Sequence, residues 1–143
     1  MANEDRTATT NSSEPGPELL TERSLLGIFV HLVGFTTGII GPGVIYFLSK
    51  DDFTRENARN ALNWQLFLIP VFLVMATGIL VAVEVSNRIE IPDALELVFA
   101  VPVPILVAVM AFLSLSTFVF PVIATAKAIF GKAWQYPLAP EFV

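Results

Sequence analysis

Residues 62–83 have the sequence LNWQLFLIPVFLVMATGILVAV and contain no charged side chain. A hydrocarbon core of about 30 Å is crossed by about 20 apolar residues in a helix, and only a helix satisfies its own backbone polar groups there. Two further stretches have the same character, LLGIFVHLVGFTTGIIGPGVIYFLS at 25–49 and LVFAVPVPILVAVMAFLSLSTFVFPVIATA at 97–126. The sequence therefore predicts an all-α integral membrane protein.

The composition supports a membrane domain over a soluble helical bundle. Of the 143 residues, 55% are hydrophobic and 15% are charged, whereas soluble domains have about 25% charged residues. The mean hydropathy is +0.70, and none of the three stretches has the polar face of a soluble amphipathic helix. We therefore predict a multi-pass protein of the cell (plasma) membrane, in contact with the lipid bilayer.

One helical transmembrane domain is predicted over residues 23–138. Its three predicted spans lie at about 24–49, 62–83 and 105–127. Residues 1–22 form an acidic tail rich in Ser, Thr and Asn, a composition typical of disorder, and residues 139–143 form a C-terminal tail. A short interfacial helix, N-capped by Thr54, is expected before the second span. A proline-broken segment is expected before the third span, because Pro102 and Pro104 interrupt helical hydrogen bonding.

Small and polar residues suggest where the spans contact each other. Five residues of the first stretch are spaced to share one helical face, namely Gly27, His31, Gly34, Gly38 and Gly41. Such glycines allow a neighbouring helix to approach closely, and we expect Gly34 and Gly38 to form this contact. Pro42 is predicted to kink or break the span near its end. Four residues of the third stretch are predicted to form the partner face with their hydroxyls and a freed carbonyl, namely Ser114, Thr117, Pro121 and Thr125.

His31 is the one histidine of the chain, and an ionisable group inside a membrane span is a functional candidate. Hydrogen bonding to a neighbouring helix is the favoured role, and proton transfer or metal binding is the alternative. Asn63 and Gln65 lie at the mouth of the second span, where carboxamides either join helices or line a polar vestibule. Structural hydrogen bonding is again the favoured role.

Several classes of function are disfavoured by the residues present. The chain has no cysteine, and none of the three predicted spans contains Asp or Glu. His31 therefore has no partner side chain with which to form a metal site or a catalytic triad, and we predict neither. We therefore predict no enzyme activity and no cofactor. The net charge of −5 disfavours nucleic acid as a partner.

The basic residues predict an orientation. Five of the eight Lys and Arg residues lie in the first loop and the C-terminal segment, namely Lys50, Arg55, Arg59, Lys127 and Lys132. With three spans these two regions share one side of the membrane, and the positive-inside rule places them in the cytoplasm. The N-terminus is then predicted to be external.

Short motifs also indicate a family. These are His31-Leu32, Gly41-Pro42, Lys50-Asp51, Ala61-Leu62-Asn63-Trp64-Gln65, Ala126, Gly131 and Tyr136-Pro137-Leu138. Over residues 25–138 the chain resembles a family of small prokaryotic membrane proteins of unknown function. That family is grouped with the magnetosome proteins MamF and MmsF and is related to the Tic-twenty component of chloroplast protein import. A departure is Lys132, where the family usually has glutamate after the glycine. The resemblance implies roles in crystal growth within a membrane compartment or in protein translocation.

Two functions from different classes follow. The first is a non-enzymatic membrane protein that acts through helix packing in a homo-oligomer or with other membrane proteins, with Tic-twenty-like translocation or assembly as one form of this role. The alternative is a small channel or transporter with a polar path near His31, Asn63 and Gln65. The alternative lacks the acidic residue at mid-membrane that ion paths commonly use.

Overall fold

The structure, a computed structural model, describes residues 24–88, 92, 97–98 and 100–143. Its helices are α1 (Leu25–Thr37), α2 (Ile40–Leu48), α3 (Asp52–Arg88) and α4 (Pro102–Ile129). The described residues contain no strand, which agrees with the predicted all-α class. The predicted acidic tail, residues 1–22, lies outside the described residues.

Helices α3 and α4 are each long and apolar enough to cross a membrane. At 37 and 28 residues they measure about 55 and 42 Å at a rise of 1.5 Å per residue. They contain the predicted spans 62–83 and 105–127. Helix α4 already begins at Pro102, where proline is compatible with the first helical turn, so the two prolines do not precede the helix. Most of the residues before Pro102 lie outside the described part of the chain.

The predicted first span, 24–49, is not one helix. Helix α1 ends at Thr37, Gly38 has φ 61° and ψ −132°, and helix α2 begins at Ile40. A Cβ atom built on Gly34 would lie 2.9 Å from Pro42 Cγ, although a continuous helix would separate two residues eight positions apart by about 12 Å. The chain therefore reverses at Gly38, and α1 and α2 form an antiparallel hairpin.

Contacts with α3 give the direction of each arm of this hairpin. Along α1, Gly27 lies against Thr54, and the Gly34 carbonyl accepts a hydrogen bond from Gln65. Helix α1 therefore runs parallel to the start of α3. The base of the hairpin, where α1 begins, lies beside the N-terminal end of α3.

Helix α2 returns along α3 in the opposite direction. Gly43 lies near Leu62, and the Tyr46 ring lies against the guanidinium of Arg55. The hairpin thus enters and leaves at the same end of the molecule. The break occurs at Gly38 and not at the predicted Gly41-Pro42-Gly43, because proline fits the first turn of a helix, where its missing N–H costs nothing.

The predicted interfacial helix is the first part of α3 and is continuous with the span. Asp51, not Thr54, caps it: the Asp51 carboxylate accepts hydrogen bonds from the Thr54 backbone N–H at 3.0 Å and from the Thr54 hydroxyl. Arg55 and Glu56 are exposed, whereas Ala58 is buried. This amphipathic turn leads directly into the apolar helix.

The buried core lies toward the end of the molecule where the hairpin packs against the first part of α3, which we call the hairpin end. Its cluster contains Trp64, Leu68, Met75, Leu113, Ala124, Tyr136 and Ala139. The C-terminal part of α3, from Leu73, and the first turns of α4 expose most of their large apolar side chains. Four helical segments therefore pack together at one end, and two helices continue to the other.

Replacing Gly38 with alanine is expected to destabilise the hairpin by about 1 to 3 kcal/mol, because this φ and ψ combination is accessible essentially to glycine alone. Thermal unfolding in detergent measures the effect. Gly43→Ala is the matched control, since its Cβ atom would meet Leu62 Cδ1 at an ordinary 3.9 Å inside a helix that favours alanine. Equal stability of the two variants would contradict the role of Gly38.

Candidate functional site

His31 lies at the centre of a polar network that joins three segments of the chain. Its Nε2 is 3.0 Å from Asn57 Oδ1 on α3, and its Nδ1 is 3.0 Å from the Tyr136 hydroxyl oxygen in the C-terminal segment. The histidine side chain is 1% exposed. Helix α1 is thereby connected both to α3 and to the chain that follows α4.

The neighbouring hydrogen bonds indicate which nitrogen of His31 carries the proton. Asn57 Nδ2 donates to the Phe53 carbonyl at 2.9 Å, so Asn57 presents its oxygen to the ring. A carboxamide oxygen only accepts, and His31 Nε2 therefore donates to it. Nδ1 then accepts from the Tyr136 hydroxyl, and both nitrogens of a neutral imidazole are satisfied.

Tyr136 is held in place by aromatic side chains. Its ring stacks on Trp64 with centroids 5.1 Å apart and an interplanar angle of 5°, and Phe120 and Trp134 complete the cluster. Burial raises the pKa of the Tyr136 hydroxyl well above its ordinary value, so the hydroxyl keeps the proton that it donates to His31. The C-terminal segment is thus fixed by stacking and by a hydrogen bond.

The carboxamides of α3 make further connections of the same kind. Gln65 Nε2 donates to the Gly34 carbonyl of α1 at 3.0 Å. Asn63 Oδ1 accepts from the backbone N–H groups of Phe142 and Val143, at 3.0 and 3.1 Å. Each of these side chains joins α3 to another segment of the same chain.

The glycines predicted to share one contact have different surroundings. Gly27 packs against Phe53 and Thr54, Gly34 packs against Pro42, and Gly38 forms the reversal. Gly41 lies on α2, and its nearest neighbours are Thr37 and Val33. Gly34 and Gly38 therefore do not form a joint contact with another helix within this chain, because α1 ends between them.

The α4 face that packs inward agrees with the predicted one only in part. Ser114 is exposed and Thr117 is half-buried, and the Thr117 hydroxyl donates to the Ser114 carbonyl of its own helix. Pro121 and Thr125 of the predicted face are buried, and Ser116, which was not predicted, is buried as well. The Ser116 hydroxyl likewise donates to the Phe112 carbonyl of its own helix, and the inward face also includes Leu113, Ala124 and Ala128.

His31, Asn63 and Gln65, the polar candidates from the sequence, all make hydrogen bonds within the chain. Two partners of the network, Asn57 and Tyr136, were not identified from the sequence. The Tyr136-Pro137-Leu138 motif was the available indication that this tyrosine has a specific partner. Among the described residues, no group of three His, Asp or Glu side chains is placed to hold a metal ion.

The comparisons with known proteins agree with a membrane-associated chain. The sequence model of one family, described as a magnetosome magnetite crystal formation protein family, matches residues 22–143. A comparison with curated proteins and with solved structures found no match. The matched region includes the four described helices and the whole polar network. The chain belongs to the magnetosome magnetite crystal formation protein family.

Proposed function

We propose that this chain is a non-enzymatic structural component of a membrane assembly, formed with further copies of itself or with other membrane proteins. The family description concerns magnetite crystal formation, and we propose that the chain contributes to this process from within the membrane. The proposal rests on the surroundings of its intramembrane polar residues and on the hairpin of α1 and α2.

In the proposed arrangement α3 and α4 cross the bilayer and the hairpin enters and leaves on one side. At 13 residues, α1 is about 20 Å long, which is less than the core of about 30 Å. The chain is then a multi-pass protein with two spans and a re-entrant hairpin, in place of the three predicted spans.

The charges supply an orientation for this arrangement. Five basic residues among the described ones belong to the hairpin end, namely Lys50, Arg55, Arg59, Lys127 and Lys132, and Arg88 belongs to the other end. The positive-inside rule favours the hairpin end as cytoplasmic. Because α1 begins at this end, we propose a cytoplasmic N-terminus in place of the predicted external one.

The hairpin turn is the observation that carries the assembly proposal. Gly38 and Ile39 form a turn between the two helices, with Gly38 outside the helical region, and a helix end leaves its last carbonyls without intrahelical partners. Non-helical backbone at membrane depth is tolerated where protein or a water-filled cavity covers it. Apart from its two chain neighbours, no described residue has a heavy atom within 4 Å of the Cβ position of Gly38, so we propose that another polypeptide covers the turn.

The polar network favours this role over the alternative channel. His31, Asn63 and Gln65, the three residues of the alternative path, all hydrogen-bond within the chain. Such closed bonds hold segments together and leave few groups to solvate a permeant ion. Tic-twenty-like translocation stays a prediction from short motifs, since the family match supports the magnetosome half of that resemblance.

Cross-linking in the native membrane tests the assembly proposal. Ile40 lies beside the turn and is 74% exposed, and Leu25 at the hairpin base is 72% exposed. Because the chain has no cysteine, Ile40→Cys is expected to give a homodimer or a cross-linked partner, and Leu25→Cys serves as the equally exposed control. A monomer after purification in mild detergent, with no co-purifying chain and no Ile40→Cys product, would contradict the proposal.

A further inference from the structure

A cleft of about 380 Å³ lies between the end of α2 and the first two turns of α3. Its lining consists of Tyr46, Asp52, Arg55, Glu56 and Arg59. The Arg55 guanidinium carbon lies 5.2 Å from the centroid of the Tyr46 ring. The hairpin and the long helix thus form the two walls of the cleft, which lies at the hairpin end of the molecule.

The charged groups of the cleft have no ion-pair partner within the described part of the chain, where the salt bridge found is that of Arg88 with Glu84. Arg59 Nε is buried and has no hydrogen-bond partner among the residues that the structure describes. A buried donor without an acceptor is costly, particularly on a charged group. Arg59 as a whole is partly exposed, so an acceptor supplied from outside the chain can reach the part of its guanidinium that faces the cleft.

The position of the cleft along α3 indicates the source of this acceptor. Residues 60–83 carry no charge, so Arg59 is the last charged residue before the apolar part of the helix. An arginine at this boundary places its aliphatic stem along apolar surface and its guanidinium among lipid headgroups. The phosphates of the bilayer lie at this level.

We propose that the cleft binds the headgroup of a phospholipid that carries both a phosphate and a primary amine, as phosphatidylethanolamine does. Arg55 and Arg59 bind the phosphate oxygens, a charge-assisted geometry in which arginine is favoured. Asp52 and Glu56 accept hydrogen bonds from the ammonium group. Two guanidinium and two carboxylate groups match a zwitterionic headgroup better than an anionic one. The phosphate of a zwitterionic headgroup pairs with the guanidinium groups and its ammonium group pairs with the carboxylates, whereas an anionic headgroup leaves the carboxylates unpaired.

The proposal requires that this end lies at a membrane surface and does not require the assembly. Native mass spectrometry of the detergent-purified full chain tests it with phosphatidylethanolamine, phosphatidylglycerol and phosphatidylcholine as probes. We expect phosphatidylethanolamine to bind about tenfold more tightly than the other two. Glycerophosphoethanolamine and inorganic phosphate, which lack acyl chains, are expected to compete poorly.

Variants assign the binding to the cleft. Arg59→Gln is expected to weaken phosphatidylethanolamine binding about tenfold, whereas Lys132→Gln, which removes an exposed cation at the same end, leaves it unchanged. Glu56→Gln removes an exposed carboxylate without disturbing the buried core, and should abolish the preference for ethanolamine over choline. Unchanged binding in Arg59→Gln, equal binding of the three lipids, or equal binding of inorganic phosphate would overturn the proposal.

Discussion

Replacing His31 with leucine is expected to lower the free energy of unfolding by several kcal/mol. The substitution leaves Asn57 Oδ1 and the Tyr136 hydroxyl, which now bond the ring, without a partner in a buried site. Each such group costs about 1 to 3 kcal/mol. Denaturant titration of the purified protein in mild detergent measures the loss, and His31→Gln should lose less because one hydrogen bond can be retained.

A double-mutant cycle separates the network from general damage to the core. Tyr136→Phe removes the hydroxyl and retains the stacking on Trp64, so its cost reports the bond to His31. The double variant is expected to lose less than the sum of the two single variants, because the residues share one bond. A pH-dependent ion flux in reconstituted vesicles, abolished equally by His31→Asn and His31→Leu without loss of stability, would instead assign His31 to transport.

Gly34→Ile is expected to open the hairpin, at a cost of about 3 kcal/mol or more. Even a Cβ atom at Gly34 would lie 2.9 Å from Pro42 Cγ, and a branched side chain adds further atoms where the ring already sits. Overpacking of this kind costs about 1 to 3 kcal/mol in ordinary cores. Here the displaced α1 also loses the hydrogen bond from Gln65 to the Gly34 carbonyl.

The same substitution type at an open position is the control for this prediction. Gly78 lies on the exposed part of α3, and apart from the adjoining backbone of α3 no described residue has a heavy atom within 4 Å of its Cβ position. Gly78→Ile is expected to have little effect on thermal unfolding in detergent. Wild-type stability of Gly34→Ile would mean that α1 and α2 are not packed as described.

Hydropathy predicted the two long helices, because a charge-free stretch of sufficient length has few alternatives in a bilayer. The same reasoning failed for residues 24–49, which are equally apolar. There the outcome depends on one backbone conformation, the positive φ of Gly38. Glycine allows such a reversal but does not require it, so hydropathy alone could not distinguish a span from a hairpin.

The site was predictable in its residue types and not in its pairings. An isolated histidine in an apolar stretch predicts a hydrogen-bonded group, and this is how His31 is found. Its partner Tyr136 is separated from it by 105 residues. Helical periodicity indicates which residues share a face, but only the packed fold determines which distant residue meets that face.

The central claim is that the first apolar stretch enters and leaves the membrane on one side, and labelling of single cysteines tests it directly. The cysteine-free chain allows Ser12→Cys, Ser49→Cys, Lys132→Cys and Asn87→Cys to be probed in intact cells with an impermeant reagent. Residues 13–24 contain no apolar stretch that could cross a bilayer, so Ser12 reports the side on which α1 begins. The account predicts labelling at Asn87 and protection at the other three positions. Labelling of both Ser12 and Asn87, with protection of Ser49 and Lys132, would restore three spans and contradict the hairpin.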